Sequence, residues 1–182
     1  PNQVLEFLLP IIEPKTESRT EHLIKGLPAG PGAASGKIYF TAEDAVKAHR
    51  NGQKVILVRE ETNPEDVEGM RAAEGILTAR GGMTSHAALV ARGWGKSCVV
   101  GASGMQIDAA NKTMKVGDRV FREGDVLTIN GSAGTVYDGA LPLVEPSAGE
   151  DYAQFLHFMS LVDKYRTMAV RANADTAVDA AK

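Results

Sequence analysis

Gly75-Ile-Leu-Thr-Ala-Arg-Gly-Gly-Met-Thr-Ser-His-Ala-Ala-Leu-Val-Ala-Arg92 is the stretch on which the reading of this chain turns. The apolar run Gly75 to Ala79 predicts a buried strand. Gly81-Gly82 predicts a turn, and about Ser85 to Arg92 predicts a short helix with Thr84 and Ser85 as candidate caps. His86 then stands in the first helical turn. There the backbone N–H groups have no internal partners and the helix dipole is positive, so the spot accepts anions. A protonated imidazole is disfavoured beside that positive end. A neutral ring keeps a lone pair and can act as a nucleophile. Gly81 and Gly82 let the backbone approach a phosphoryl group without a Cβ in the way. The hydroxyls of Thr84 and Ser85 can bond phosphate oxygens. Spacing alone leaves two readings open, a phosphoryl-accepting histidine and a histidine that merely caps a helix.

Outward from that stretch, the pattern is α/β. Lys37–Phe40 and Lys54–Val58 read as strands, and Thr41–Asn51 as a helix capped by Thr41. Asn63-Pro64 opens another helix, with Asn63 as cap and an acidic first turn. Thr62-Asn63-Pro64 follows a strand end, as the Gly-Gly turn does. The two loops are therefore expected side by side, with Thr62 supporting His86. Ser97–Val100 is a further strand. From Thr113 the pattern changes to short hairpin strands, 114–116, 126–129 and 135–137, with turns at Gly117-Asp118 and Asn130–Gly134. The middle of the chain thus mixes parallel βα units with antiparallel hairpins.

Four segments are expected. Residues 1–25 are a linker, a short helix broken by Pro10 and Pro14 and then an extended piece. Residues 26–140 form the compact domain, entered through a Gly/Pro-rich loop over Gly26–Gly36. Residues 141–166 hold a linker helix with Phe155, Phe158, Met159 and Val162 on one face. Residues 167–182 read as the first strand of a further domain. The chain opens on Pro1 and is taken as a piece of a longer protein.

Composition narrows the classes. The chain has 182 residues, 43% apolar and 24% charged, with a net charge of −3. That balance argues for a soluble globular protein and against a nucleic-acid binder, which needs a basic face. The single cysteine, Cys98, excludes an intrachain disulfide and a multi-cysteine zinc site. No apolar run approaches the roughly 18 residues of a membrane span.

The residues Gly81-Gly-Met-Thr-Ser-His-Ala-Ala-Leu-Val-Ala-Arg-Gly93, followed by Cys98-Val-Val-Gly101, closely resemble the phosphohistidine signature of the pyruvate, phosphate dikinase family. The resemblance extends to Pro28–Phe40, Val55–Asp66, Ala73–Thr78 and Asp163–Thr167. Related phosphoenolpyruvate synthases and enzyme I of the sugar phosphotransferase system usually carry Arg where Met83 stands, so Met83 favours the dikinase.

The resemblance implies a swivelling β/β/α phosphohistidine domain flanked by helical linkers. It implies that His86 takes the phosphoryl derived from the β-phosphate of ATP, in two steps with inorganic phosphate, and passes it to pyruvate to give phosphoenolpyruvate. The implied partners are an ATP-grasp domain and a pyruvate-binding barrel of the same chain, in a homodimeric, intracellular parent. Magnesium would be bound by those other domains and no metal by this segment. The fragment alone would not turn over. Thr84 matches a position that a regulatory protein phosphorylates in plant members. The other readings are a relative using ATP and water, a phosphotransferase-system enzyme, and a non-catalytic interaction domain.

Other residues read as structural. His22, His49 and His157 lack metal-ligand spacing and are expected at the surface or in packing. Cys98 is expected buried. Arg92 is expected at the helix C-terminus, favoured by the dipole. Trp94 is a candidate docking residue.

Overall fold

The computed structural model describes residues 9–145 and 150–165. Contacts divide the chain into two units, 1–148 and 149–182. The first unit follows the expected mixture of parallel and antiparallel strands. In chain order it contains β1 (Ile11–Ile12), α1 (Pro14–Arg19), β2 (Ile24–Lys25), β3 (Leu27–Gly30), β4 (Ala33–Tyr39), α2 (Ala42–Arg50) and β5 (Val55–Arg59). A 3₁₀ turn (Pro64–Asp66), α3 (Val67–Ala72), β6 (Gly75–Thr78), α4 (His86–Trp94) and β7 (Ser97–Val100) follow. The remaining strands are β8 (Met105–Asp108), β9 (Thr113–Val116), β10 (Arg119–Arg122), β11 (Val126–Asn130), β12 (Thr135–Asp138) and β13 (Leu143–Val144). In the second unit, the described residues form one helix, α5 (Glu150–Tyr165).

Eight strands form one sheet in the order β2-β12-β11-β4-β5-β6-β7-β3. The central run β4-β5-β6-β7 is parallel, and the outer pairings are antiparallel. Strand β5 shows why this sheet is covered on both faces. Its Val55-Ile-Leu-Val58 run is wholly buried, and successive side chains point to opposite faces. Val55 and Leu57 pack with Ala45 and Ala48 of α2, Met70 of α3 and Ala87, Ala88 and Ala91 of α4. Ile56 and Val58 pack with Met105, Met114 and Phe121 of the small β10-β9-β8 sheet. The result is three layers, β/β/α. Truncating Leu57 or Leu77, both fully buried, costs about 2–5 kcal/mol by the usual cavity penalty.

Several local expectations change. Gly26–Gly36 is not a loop but most of two strands, β3 and β4, joined at Pro31-Gly32. A glycine signal there reflects close approach: a Cβ on Gly36 would stand 2.7 Å from the carbonyl oxygen of Lys54, the residue that leads into β5. Pro14 does not break a helix but starts α1 at its first position, where the missing N–H costs nothing. Asn63 is the N-cap with Pro64 after it, as expected, but the element it opens differs. Asp66 accepts the Asn63 N–H at 2.9 Å, and the first turn is 3₁₀. Strands β8 and β10 were not expected. Their exposed positions, Gln106, Asp108, Arg119 and Arg122, dilute the apolar signal. The capped helix at Thr41, the hairpin turns and the helix over 150–165 appear as expected. The strand expected at Met168–Asp175 lies outside the described residues, as does the start of the linker.

The chain is fastened where it enters and leaves this domain. β1 pairs antiparallel with β13, Ile11 opposite Val144 and Ile12 opposite Leu143. Glu17 of α1 accepts from Asn130 Nδ2 at 2.7 Å and from the Tyr137 hydroxyl at 2.9 Å. A cleft of about 200 Å³ at the N-terminal ends of β5, β6 and β7 is lined by Lys54, Glu74 and Ser97 together with Pro10 and Leu143.

Candidate phosphoryl-transfer site

Parallel neighbours β5 and β6 end on the same edge of the sheet, and the loops leaving them meet there. Backbone bonds join the two loops: Ala79 N–H to Arg59 O at 3.2 Å and Arg80 N–H to Glu60 O at 2.9 Å. Buried Thr78 donates its hydroxyl to Arg80 O at 2.6 Å, fixing the exit from β6. Gly81 then takes φ +101°, a region L side chains avoid, and a Cβ there would stand 3.1 Å from Ser85 Oγ. A Cβ on Gly82 would meet nothing within 4 Å, so the fold does not require glycine at that position.

Ser85 is the N-cap of α4, its hydroxyl accepting the Ala88 N–H at 3.4 Å. His86 is the first helical residue and is half-buried. The loop from β5 brings Thr62, 4% exposed, beside it. Thr62 Oγ1 lies 3.3 Å from His86 Nδ1. The two loops and these two side chains are therefore brought together as the sequence predicts. Thr84 is not the cap. Its side chain is exposed, two residues before the histidine.

Arg92 lies in the last turn of α4, as expected, but its side chain does not point toward that end. It does not extend past the C-terminus of α4, which Gly95 closes in the left-handed conformation. Its side chain runs back toward the helix N-terminus, the direction helical side chains lean. Nε donates to Ala88 O at 3.2 Å, and Nη2 donates to Met83 O. That backward lean is the signal that could have located it.

Trp94 is partly exposed, and the Arg71 guanidinium lies 5.3 Å from its ring centre. Cys98 is buried in β7, and burial pushes its thiol up to about 12, against a smaller opposing pull from Arg92. His22, His49 and His157 are exposed. Among the described residues no group of three or more His, Cys, Asp or Glu side chains could hold a metal ion. Among them, too, no helix is long and apolar enough to cross a membrane.

Comparison with known proteins gives the arrangement its relatives. The family model described as "PEP-utilising enzyme, mobile domain" matches residues 51–134, the span that holds both loops and α4. Pyruvate, phosphate dikinase 2 of Oryza sativa subsp. japonica is 52% identical over 180 residues, 99% of this chain and 20% of that protein. The chain belongs to the pyruvate, phosphate dikinase family. The Clostridium symbiosum dikinase is 49% identical over 174 residues, covering 96% of this chain and 20% of the relative. The chain therefore spans about a fifth of the length of the dikinases it matches. A solution structure of Enzyme I, 22% identical, matches over 59% of this chain and 38% of that chain with a TM-score of 0.34.

Proposed function

We propose that this segment is the phosphoryl carrier of a pyruvate, phosphate dikinase, with His86 as the residue that is phosphorylated. The observation that carries the reading is the Thr62–His86 pair on the half-exposed first turn of α4. With Nδ1 protonated and donating to Thr62 Oγ1, the lone pair belongs to Nε2. That nitrogen attacks phosphorus, a P–N bond forms, and the P–O bond to the leaving oxygen breaks. The unpaired N–H groups at the start of α4 face the charge that arrives. Ser85 keeps its cap, and Thr84 offers a free hydroxyl to the phosphoryl oxygens.

The net first half-reaction is His86 + ATP + phosphate to phospho-His86 + AMP + pyrophosphate. In the second, phospho-His86 and pyruvate give His86 and phosphoenolpyruvate. One histidine serves two separate sites only if its domain moves between them. We assign the ATP site, the pyruvate site and the magnesium to other parts of the parent chain, which this segment lacks the length to contain. Alone, the segment carries phosphoryl without turning over. Exposed Thr84 is the position for regulation: a phosphate of about −2 charge two residues from His86 repels an incoming phosphoryl.

The test uses the full-length parent. ATP labelled in its β-phosphate is supplied with inorganic phosphate to the wild type and to His86→Asn. Acid-labile label on the wild type and none on the variant is expected. Label persisting on the variant overturns the reading. A requirement for inorganic phosphate with pyrophosphate release separates the dikinase from a relative that uses ATP and water.

A further inference from the structure

Arginine sets its charge against a carboxylate at several places in this fold. Arg59 pairs with Asp66 at 3.3 Å, Arg80 with Glu60 at 3.0 Å and Arg119 with Asp138 at 2.7 Å. Arg92 is different. It makes no ion pair among the described residues, and the acceptors its guanidinium contacts are neutral carbonyl oxygens. Those two carbonyls, Met83 and Ala88, bracket His86 in sequence, three residues before it and two after. A guanidinium carries five N–H donors, and Arg92 uses two. A cation is thus held, unneutralised and with donors to spare, against the turn and the first helical turn that present the histidine. The rest of α4 supplies no acidic side chain to compete for it, its first turn being His-Ala-Ala-Leu.

Resting on the carrier reading of His86, we propose that Arg92 is the residue that binds the phosphoryl group once His86 holds it. When phosphorus bonds to Nε2, the phosphoryl group carries two negative charges, and Nδ1–H keeps donating to Thr62 Oγ1. The guanidinium then has a better acceptor than the Met83 carbonyl. A charge-assisted, two-pronged contact to phosphoryl oxygens is about twice as strong as a bond to a neutral carbonyl. Arg92 releases Met83 and turns to the phosphoryl group. It exchanges no atoms or protons. It stabilises phospho-His86 relative to free His86, and the Met83 contact is its resting place.

The full-length parent tests this, as wild type, Arg92→Lys, Arg92→Gln and His86→Asn. The decisive reading is the equilibrium constant for ATP + phosphate + enzyme giving phosphoenzyme + AMP + pyrophosphate, from the labelled fraction at fixed reactant ratios. A residue that only braces the Met83 turn changes rates and leaves this ratio alone. Arg92→Gln is expected to lower it about tenfold or more, the usual scale for losing one charge-assisted contact. Arg92→Lys, which keeps the charge but not the fork, should fall between. The thermal midpoint of the unphosphorylated enzyme should move little. An unchanged ratio in Arg92→Gln overturns the proposal, and if that variant does not fold, an unchanged ratio in Arg92→Lys does. Label on His86→Asn, or none on the wild type, sinks the carrier reading instead, so the two failures are distinct.

Discussion

Thr62 Oγ1 stands 3.3 Å from His86 Nδ1, so the loop leaving one buried strand holds the ring presented by the next. In the carrier reading Thr62 accepts a hydrogen bond from Nδ1–H, which leaves the lone pair on Nε2, the detail on which a phosphoryl-accepting histidine depends. Thr62→Val preserves shape and removes the acceptor. It should slow His86 phosphorylation about tenfold, the worth of one hydrogen bond of roughly 1 kcal/mol or a little more. Thr62→Ser should retain most of the rate. Rapid-quench labelling of the parent measures both, and equal rates for valine and wild type would remove Thr62 from the mechanism.

The two glycines of the turn should behave differently. Gly81→Ala forces a Cβ into a φ of +101° and to 3.1 Å from Ser85, so it should destabilise the fold by about 1–3 kcal/mol in denaturant titration. Gly82→Ala meets open space and should unfold like the wild type. Slower phosphorylation in a stable Gly82→Ala variant would show that bare backbone is needed by the phosphoryl group rather than by the chain.

Loss of the helix cap is separable from loss of chemistry. Ser85→Ala removes the acceptor for the Ala88 N–H and should cost about 1 kcal/mol of stability. Ser85→Asp restores a capping oxygen but brings a negative charge beside His86. Recovered stability with weakened phosphorylation is expected, read from thermal midpoints and labelling.

The buried Cys98 thiol, pushed up to about 12, makes an alkaline prediction. In the unfolded chain it ionises near the ordinary thiol value, while the folded chain holds its proton. The unfolded state then binds fewer protons, so stability falls as pH rises above that ordinary value. The fall is about 1.4 kcal/mol per pH unit from this group until the folded thiol itself ionises. Cys98→Ala should lose that part of the slope in denaturant titrations across pH 9–11. Identical slopes would mean the thiol is open to water.

The β1–β13 pairing can be locked. Ile11 and Val144 lie opposite each other, both exposed. Cysteines at the two positions should oxidise to a disulfide, since paired strands bring Cβ atoms into bonding range. If the pairing persists throughout the catalytic cycle, the oxidised parent keeps its turnover. Turnover lost on oxidation and regained on reduction would show that the two strands separate as the domain moves.

The site was legible because its signals are local. A strand, a Gly-Gly turn and Ser85-His86 at a helix start follow from residues a few positions apart, and Thr62 followed from β5 and β6 ending on one edge. The resemblance to a family then supplied a chemistry that spacing left open. The misses have physical causes. Gly26–Gly36 read as loop because glycine marks both turns and close approaches, and only the packing against Lys54 tells them apart. β8 and β10 were hidden because, Val120 apart, their exposed residues are polar or charged. Arg92 lies in the last helical turn as expected, but its charge was not located, because a helix position fixes the Cα whereas the long side chain puts its charge more than a turn away.

The histidine and the tethers occupy opposite ends of the parallel strands. His86 follows the C-terminal end of β6, whereas Pro10 and Leu143 line the cleft at the N-terminal ends. A four-residue strand separates them by roughly 13 Å at about 3.3 Å per residue. In a carrier pivoting on those tethers, that separation is a lever arm. The nitrogen at its end travels an arc wider than any atom near the pivot.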